Sequence, residues 1–244
     1  MAQKPYYMAY ENRYQKVYAA GIDRWGQAQD DEVLLLMLTE WVEENQLRGK
    51  RVIEFACGEG AGGEILSRLG CVYHGVDIAP SAIMKAKEAL RPYPHAAVSL
   101  LDMVNDPITQ EYDAALDMMG FHMLVLDADR RKYLKNAFSC LKCDAPMLFV
   151  RESYRVNASE DKIDSLEQWL AITGEDYTTP QPRIARQNGM EIEVSIPVVP
   201  ARARTKEGYE REMNEAGFAV EQFVEMDISN AITHSATLFV RKRG

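Results

Sequence analysis

The sequence predicts an α/β protein with a doubly wound, mostly parallel sheet that finishes in an antiparallel hairpin. Three observations carry this. Between residues 51 and 151, apolar runs of strand length alternate with segments of helical periodicity, as repeated βα units require. Residues 52–63, Val-Ile-Glu-Phe-Ala-Cys-Gly-Glu-Gly-Ala-Gly-Gly, pass from an apolar strand into a glycine-packed turn ahead of a helix-like stretch. Near the end, strand-like runs at 218–226 and 236–240 follow one another with no helix between them, which puts a hairpin on the sheet edge.

The elements follow in order. Tyr7, Tyr10, Tyr14 and Tyr18 recur at three- and four-residue intervals and line one face of a helix. That face packs on the main domain, closes over a ligand, or does both. Asp31 opens an apolar helix through Leu34, Leu38 and Trp41 that stops near Gly49. Strands are expected at 51–56, 71–77, 96–101, 112–118 and 147–151. Helices are expected at 62–69, 80–90, with Pro80 in its first turn, and 127–141. Residues 153–204 break the alternation with a helix at 160–172, a turn-rich Thr-Thr-Pro-Gln-Pro stretch and an alternating strand at 190–196. A helix at 206–216 with Gly217 as its C′ residue precedes the hairpin. The expected organisation is an amino-terminal helical lid (1–30), a core (31–152 and 205–244) and a cap inserted between its halves (153–204).

Composition narrows the function. The 244 residues are 47% hydrophobic and 27% charged, ordinary for a globular chain able to bury a substantial core. No apolar run approaches the roughly 20 residues that span a bilayer, and the start lacks the apolar stretch of a secretion signal. A cytoplasmic protein without a membrane partner is expected. The net charge of −9 opposes a phosphate backbone, so nucleic acid is not expected as a partner. Cys140 and Cys143 form a lone CxxC with no second pair or nearby histidine, an incomplete zinc site, so they are expected to pack at a helix end and no metal is expected. The oligomeric state stays open.

The glycine turn is the richest signal. Glycines at 58, 60 and 62 let the backbone take positive φ and approach a ligand closely, which points to a nucleotide-like cofactor. Gly58, Gly60 and Gly63 also satisfy the G-x-G-x-x-G spacing of dinucleotide sites. By itself the turn leaves both readings open.

The chain resembles the class I S-adenosylmethionine-dependent methyltransferases of small-molecule type from about Arg51 to Val240. The matching elements, in order, are residues 52–60, Gly75-Val76-Asp77-Ile78, Leu101-Asp102-Met103, residues 112–118, and Glu215-Ala216-Gly217-Phe218 before the hairpin. The resemblance implies a Rossmann-like methyltransferase sheet, S-adenosylmethionine as cofactor and S-adenosylhomocysteine as product. That cofactor carries an ammonium, a ribose diol, an adenine amine and a sulfonium, so its site should offer acceptors. The resemblance places Glu54 toward the ammonium, Asp77 at the ribose hydroxyls, Ile78 on the adenine face, and Asp102 with the Met103 backbone at the adenine edge. Carbonyls near Ala56 and Met118 bracket the aminoacyl end, with Cys57, Gly58 and Gly60 in the turn. Ala56 stands where many members have glycine, and Cys143-Asp144-Ala145-Pro146 replaces a common Pro-Gly-Gly turn.

Methyl transfer is an in-line displacement, so alignment and exclusion of water dominate, and a base is needed only when the acceptor must lose a proton. His122, on the loop after the fourth strand, is the leading candidate base, histidine being the residue type that titrates near neutrality. Satisfying a backbone group in that loop is the alternative. Glu152, Tyr154, Tyr14, Trp25 and His234 are further candidates. Tyr14 and Trp25 resemble lid aromatics that add cation–π stabilisation of order 1 kcal/mol near a sulfonium. Tyr18, Glu152, Tyr154, Trp169 and Arg183 are the expected acceptor-binding residues, with Arg155, Tyr177 and Arg186 nearby in the cap. The expected activity is methylation of an oxygen or nitrogen on a small-molecule acceptor. The alternatives are a nicotinamide-dependent oxidoreductase, a methyltransferase acting on a protein partner, and a binding module that has lost turnover.

Overall fold

The computed structural model describes residues 5–25, 31–177, 179–187, 190–226 and 234–244. In chain order the elements are α1 (Ala9–Ala19), α2 (Glu32–Glu44), β1 (Arg51–Phe55), α3 (Ala61–Arg68), β2 (Val72–Asp77), α4 (Pro80–Leu90), β3 (Ala96–Leu100) and β4 (Ala114–Met118). There follow α5 (Asp127–Cys140), β5 (Pro146–Ser153), α6 (Leu166–Thr173), β6 (Pro180–Gln187), β7 (Met190–Pro197), α7 (Lys206–Glu215), β8 (Phe218–Met226) and β9 (Ser235–Lys242). Short 3₁₀ turns at Tyr6–Met8 and Phe121–Met123 flank the site.

The main sheet has the order β3-β2-β1-β4-β5-β9-β8. β1 to β5 pair in parallel, and β9 pairs antiparallel with both β5 and β8. The order reverses direction beside β1, and in open sheets a ligand crevice forms at that point, outside the carboxyl ends of the strands. β4 is buried through Asp117 because helices cover both faces. One core layer joins Phe55, Tyr133 and Phe149 to Tyr209 and Phe218. The other joins Leu38, Trp41 and Leu66 to Leu116 and Leu148.

Local signals explain the boundaries. The Asp31 carboxylate accepts from the Leu34 amide and caps α2, Pro80 starts α4, and Gly217 takes φ +94° after α7. The expected helix at 160–172 is shortened to Leu166–Thr173. Ser165 caps it, accepting from the Gln168 amide, while Glu160 is held upstream by Thr205 and Arg211. The stretch read as turn-rich is instead β6, with Thr178 outside the described residues. Proline is tolerated at positions 180 and 182 because a two-stranded ribbon consists only of edges. The expected strand at 112–118 begins at Ala114, Tyr112 making an isolated bridge to Leu141. Cys140 is buried as expected, whereas Cys143 is exposed. No helix of the described residues is long and apolar enough to cross a membrane.

Candidate active site

The glycine turn lies at the carboxyl end of β1. Gly58 has φ +53° and Gly60 φ +85°, and Ala56 takes φ +50° where a glycine would be unstrained. The turn is held from the neighbouring strand. Asp77, at the end of β2, accepts from the Gly58 amide at 2.9 Å and the Ala79 amide at 2.8 Å. Burial raises the Asp77 carboxyl above the ordinary range, and those amide bonds pull it back. Asp77 thus joins the turn to the start of α4.

Glu54 is completely buried behind the turn. Its Oε2 accepts from the Tyr73 hydroxyl, and its Oε1 has no hydrogen-bond partner. A Cβ on Gly62 would lie 2.6 Å from that carboxylate, so only glycine lets α3 start there. Burial lifts the Glu54 carboxyl to about 8, with the Tyr73 hydrogen bond opposing and the Asp77 charge adding. Between about 4.5 and about 8 the folded chain therefore holds a proton that the unfolded chain has lost, so stability falls as pH rises through that window. Glu54→Gln is expected to raise stability over wild type at about pH 9, by a few kcal/mol at most and seen as a higher midpoint of thermal unfolding, and to change it little at about pH 5. An equal gain at both pH values in a thermal melt would refute the buried-acid explanation.

The lid tyrosines reach this edge in the order of their helical spacing. Tyr7 donates to both Asp102 oxygens at 3.2 and 3.1 Å, and Tyr10 donates to the Met123 sulfur. The Tyr14 hydroxyl stands 2.9 Å from where a Gly58 Cβ would be, and Tyr18 donates to Glu59 at 2.7 Å. Glu11, on the same helix, accepts from the Ser81 amide and hydroxyl at the start of α4. The Trp25 amide also donates to Glu59 at 2.9 Å. Glu59 therefore fastens both ends of the segment from Tyr18 to Trp25, a role its place inside the turn did not reveal. Residues 1–4 and 26–30 of the expected lid lie outside the described residues.

Asp102 differs from its expected role at an adenine edge. It accepts from the Val104 and Asn105 amides, from the Asn105 side chain and from Tyr7. These bonds occupy its lone pairs, so it organises its own turn and anchors the lid. Ile78 and Met103 are half-buried beside the main core, as Met118 is beside the second. Cys57 is buried against Gly75, and burial pushes its thiol well up, so it is a packing residue of the turn.

The loop after β4 carries the second cluster. His122 is 2% exposed; its Nδ1 lies 2.9 Å from Glu152 Oε2, which also accepts the His122 amide at 2.7 Å. Glu152 was expected to touch the acceptor. It is instead fully buried, because a β-bulge between Phe149 and Glu152 on β5, with Arg151 at φ +58°, aims it at His122. With Glu152 accepting from Nδ1–H, the neutral ring presents Nε2 as its basic nitrogen.

Three groups missed in the sequence fix this loop. Asp117 accepts from the Gly120 and Phe121 amides and the Tyr133 hydroxyl. Burial and the Glu152 charge hold its carboxyl well above the usual range. Arg130 is clamped by Glu212 at 2.8 and 2.7 Å and donates to the Phe121 and Leu124 carbonyls. Arg202 donates its amide to the His122 carbonyl at 2.8 Å and its guanidinium to Val125. An arginine in a polar helix gives no sequence sign of facing inward.

Other expected acceptor contacts are spent elsewhere. Tyr154 donates to Glu225 and meets Phe223 edge to face under β8, and Trp169 donates to Tyr177 within a small core with Val125 and Ile163. Both pack because the cap residues nearest β5 and α5 fold onto the core. Arg155 donates to the Tyr154 and His234 carbonyls, and His234 is exposed. Arg183 is exposed on β6, and the Arg186 side chain lies outside the described set. The β6–β7 ribbon meets α1, with Ala185, Val194 and Ile196 packed with Val17 and Ile22. Among the described residues no group of three or more His, Cys, Asp or Glu side chains is placed to hold a metal ion.

The donor set discriminates between the two cofactors. Four buried carboxylates, Glu54, Glu59, Glu64 and Asp77, surround the amino terminus of α3, where a dinucleotide would place its diphosphate. Glu59 and Asp77 bring charge and acceptor oxygens there, which opposes a diphosphate and suits the ammonium, hydroxyls and sulfonium of S-adenosylmethionine. Glu54 keeps its proton up to about pH 8, and Glu64 pairs with Arg24.

Residues 53–147 match the family of methyltransferase domains. A sequence search of curated proteins returns no match. Solved structures share the fold. An S-adenosylmethionine-dependent methyltransferase from Clostridium acetobutylicum aligns with TM-score 0.65 at 16% identity, covering 96% of this chain and 98% of that one. The N-methyltransferase NodS from Bradyrhizobium japonicum, in complex with S-adenosyl-L-homocysteine, aligns with TM-score 0.63 at 14% identity, covering 97% and 100%. An amino pentose methyltransferase from Micromonospora echinaspora, bound to S-adenosylmethionine, aligns with TM-score 0.62 at 15% identity, covering 99% and 100%. Residues 53–147 thus match a methyltransferase domain, and the chain as a whole shares the fold of S-adenosylmethionine-dependent methyltransferases.

Proposed function

We propose that the enzyme methylates an oxygen or nitrogen of a small-molecule acceptor, with His122 removing the acceptor's proton. The observation that carries this reading is the buried His122–Glu152 pair at the carboxyl edge of the sheet, beneath Tyr10 of the lid helix. Holding Nδ1 leaves Nε2 to meet a reacting group, the arrangement a general base needs. S-adenosylmethionine, when bound, supplies an electrophilic methyl group. Asp77 would accept from its ribose hydroxyls, and Glu54, on giving up its proton, would draw its ammonium toward the turn. Tyr14 and Trp25 shield the reacting centre from water.

A small acceptor is supported by the way the lid is tied down. Tyr7 just ahead of α1, and Glu11 and Tyr18 on it, anchor the lid to the β3–β4 connection, α4 and the glycine turn respectively, a covered site rather than a groove for a polymer. The same fold serves an amino pentose methyltransferase, so it accommodates acceptors of that size. The test is acceptor-blind. The enzyme is incubated with methyl-labelled S-adenosylmethionine and a cell extract divided by size, and label is expected in the low-mass fraction. Label confined to the protein fraction would replace this reading with a protein methyltransferase.

A further inference from the structure

Arg13 lies on α1 three residues after Tyr10 and one before Tyr14, and its guanidinium stands over the Trp25 ring at 5.3 Å. Its Nε is buried and meets no hydrogen-bond acceptor. The groups that act on it most strongly are the Tyr10 and Tyr14 hydroxyls and a second cation, Arg183. Among the described residues no carboxylate forms an ion pair with it. Burial pulls the guanidinium below its ordinary value, opposed by Tyr10 and Tyr14 and reinforced by Arg183.

The ribbon explains why Arg183 is near. Arg183 pairs with Val194 across β6 and β7, and directly opposed residues of an antiparallel pair share a face. Val194 packs with Val17 of α1, so Arg183 is on the ribbon face turned toward the lid helix. A half-buried guanidinium with an unpartnered buried Nε, facing a second cation on the exposed part of the ribbon, is unfavourable until an anion joins them. The guanidinium fork suits carboxylate and phosphate oxygens.

The junction is also well placed for the reaction. One helical turn of α1 carries Tyr10 on Met123, beside His122, and Tyr14 over Gly58. A molecule anchored at Arg13 is therefore within reach of both the candidate base and the cofactor turn. We propose that Arg13 and Arg183 form an acceptor-recognition pair, so that the acceptor carries an anionic group, carboxylate or phosphate, beside a flat apolar body lying against Trp25. This rests on the small-molecule reading above and specifies its substrate class.

The test is titration calorimetry on the full chain saturated with S-adenosylhomocysteine, using benzoate, phenyl phosphate and neutral benzamide as probes. At least one anion is expected to bind about tenfold or more tightly than benzamide, and the tighter of the two names the group. Arg13→Gln and Arg183→Gln should each reduce that preference to within about threefold while S-adenosylhomocysteine affinity is kept. Arg13→Lys should retain part of it. If Arg13→Gln does not fold, the exposed Arg183→Gln carries the test. No preference for either anion in the wild type, including no binding at all, overturns the inference and leaves the methyltransferase reading standing. So does a preference that survives both glutamine variants. Failure of S-adenosylhomocysteine to bind would instead overturn the proposed function, and this inference with it.

Discussion

Asp77→Ala is expected to weaken S-adenosylhomocysteine binding by about 100-fold or more, because it removes the acceptor that holds two backbone amides as well as the one proposed for the ribose. A charge-assisted hydrogen bond is worth about 1.5–3 kcal/mol, and an orphaned buried donor costs about 1–3 kcal/mol. Gly58, at φ +53°, then loses the tie that keeps its strained turn in place. Asp77→Asn keeps one acceptor oxygen and should lose less. The measurement is calorimetric affinity beside a thermal melt. Binding within about threefold of wild type would show that Asp77 is merely a cap between β2 and α4.

The second large effect is kinetic. His122→Ala should lower kcat by about 10²- to 10⁴-fold on the labelled low-mass acceptor pool, with S-adenosylhomocysteine affinity unchanged. Glu152→Gln keeps an acceptor for the His122 amide and Nδ1 and should give a smaller loss in kcat. Its effect would be felt through the ring's orientation. A wild-type rate in His122→Ala would assign the pair to loop structure alone, the role that Asp117 and Arg130 already have there. The two variants also separate binding from chemistry, since Asp77 touches the cofactor turn and His122 does not.

Most of the sheet was legible because its signals are local. Strand and helix periods differ, Asp31 and Pro80 mark helix starts, and Gly217 marks a stop. The glycine turn was legible for the same reason, its glycines, Glu54 and Asp77 lying within 24 residues of sequence. The acceptor side was not. Tyr154 and Trp169 are aromatic residues in a cap, and nothing in their neighbours distinguishes a binding face from a packing face; contacts with Phe223 and Ile163 decide it. The contact of Glu152 with His122 was not legible because a bulge turns Glu152 inward, and a bulge changes the register without changing the pattern of residue types.

The sequence alone determined the class of fold, the glycine turn at the end of β1, and the helical face of tyrosines that packs over it. These depend on periodicity, on glycine's freedom at positive φ and on the residue types a cation-bearing cofactor requires, all of them properties of short segments. The tertiary structure decided what those segments meet: Tyr7 on Asp102, Tyr18 on Glu59, Glu152 on His122, and Val17 on the ribbon that carries Arg183. Each joins residues separated by 30 or more positions, and such pairings follow from how the sheet order and the ribbon fold back on one another. Short-range patterns do not encode that geometry.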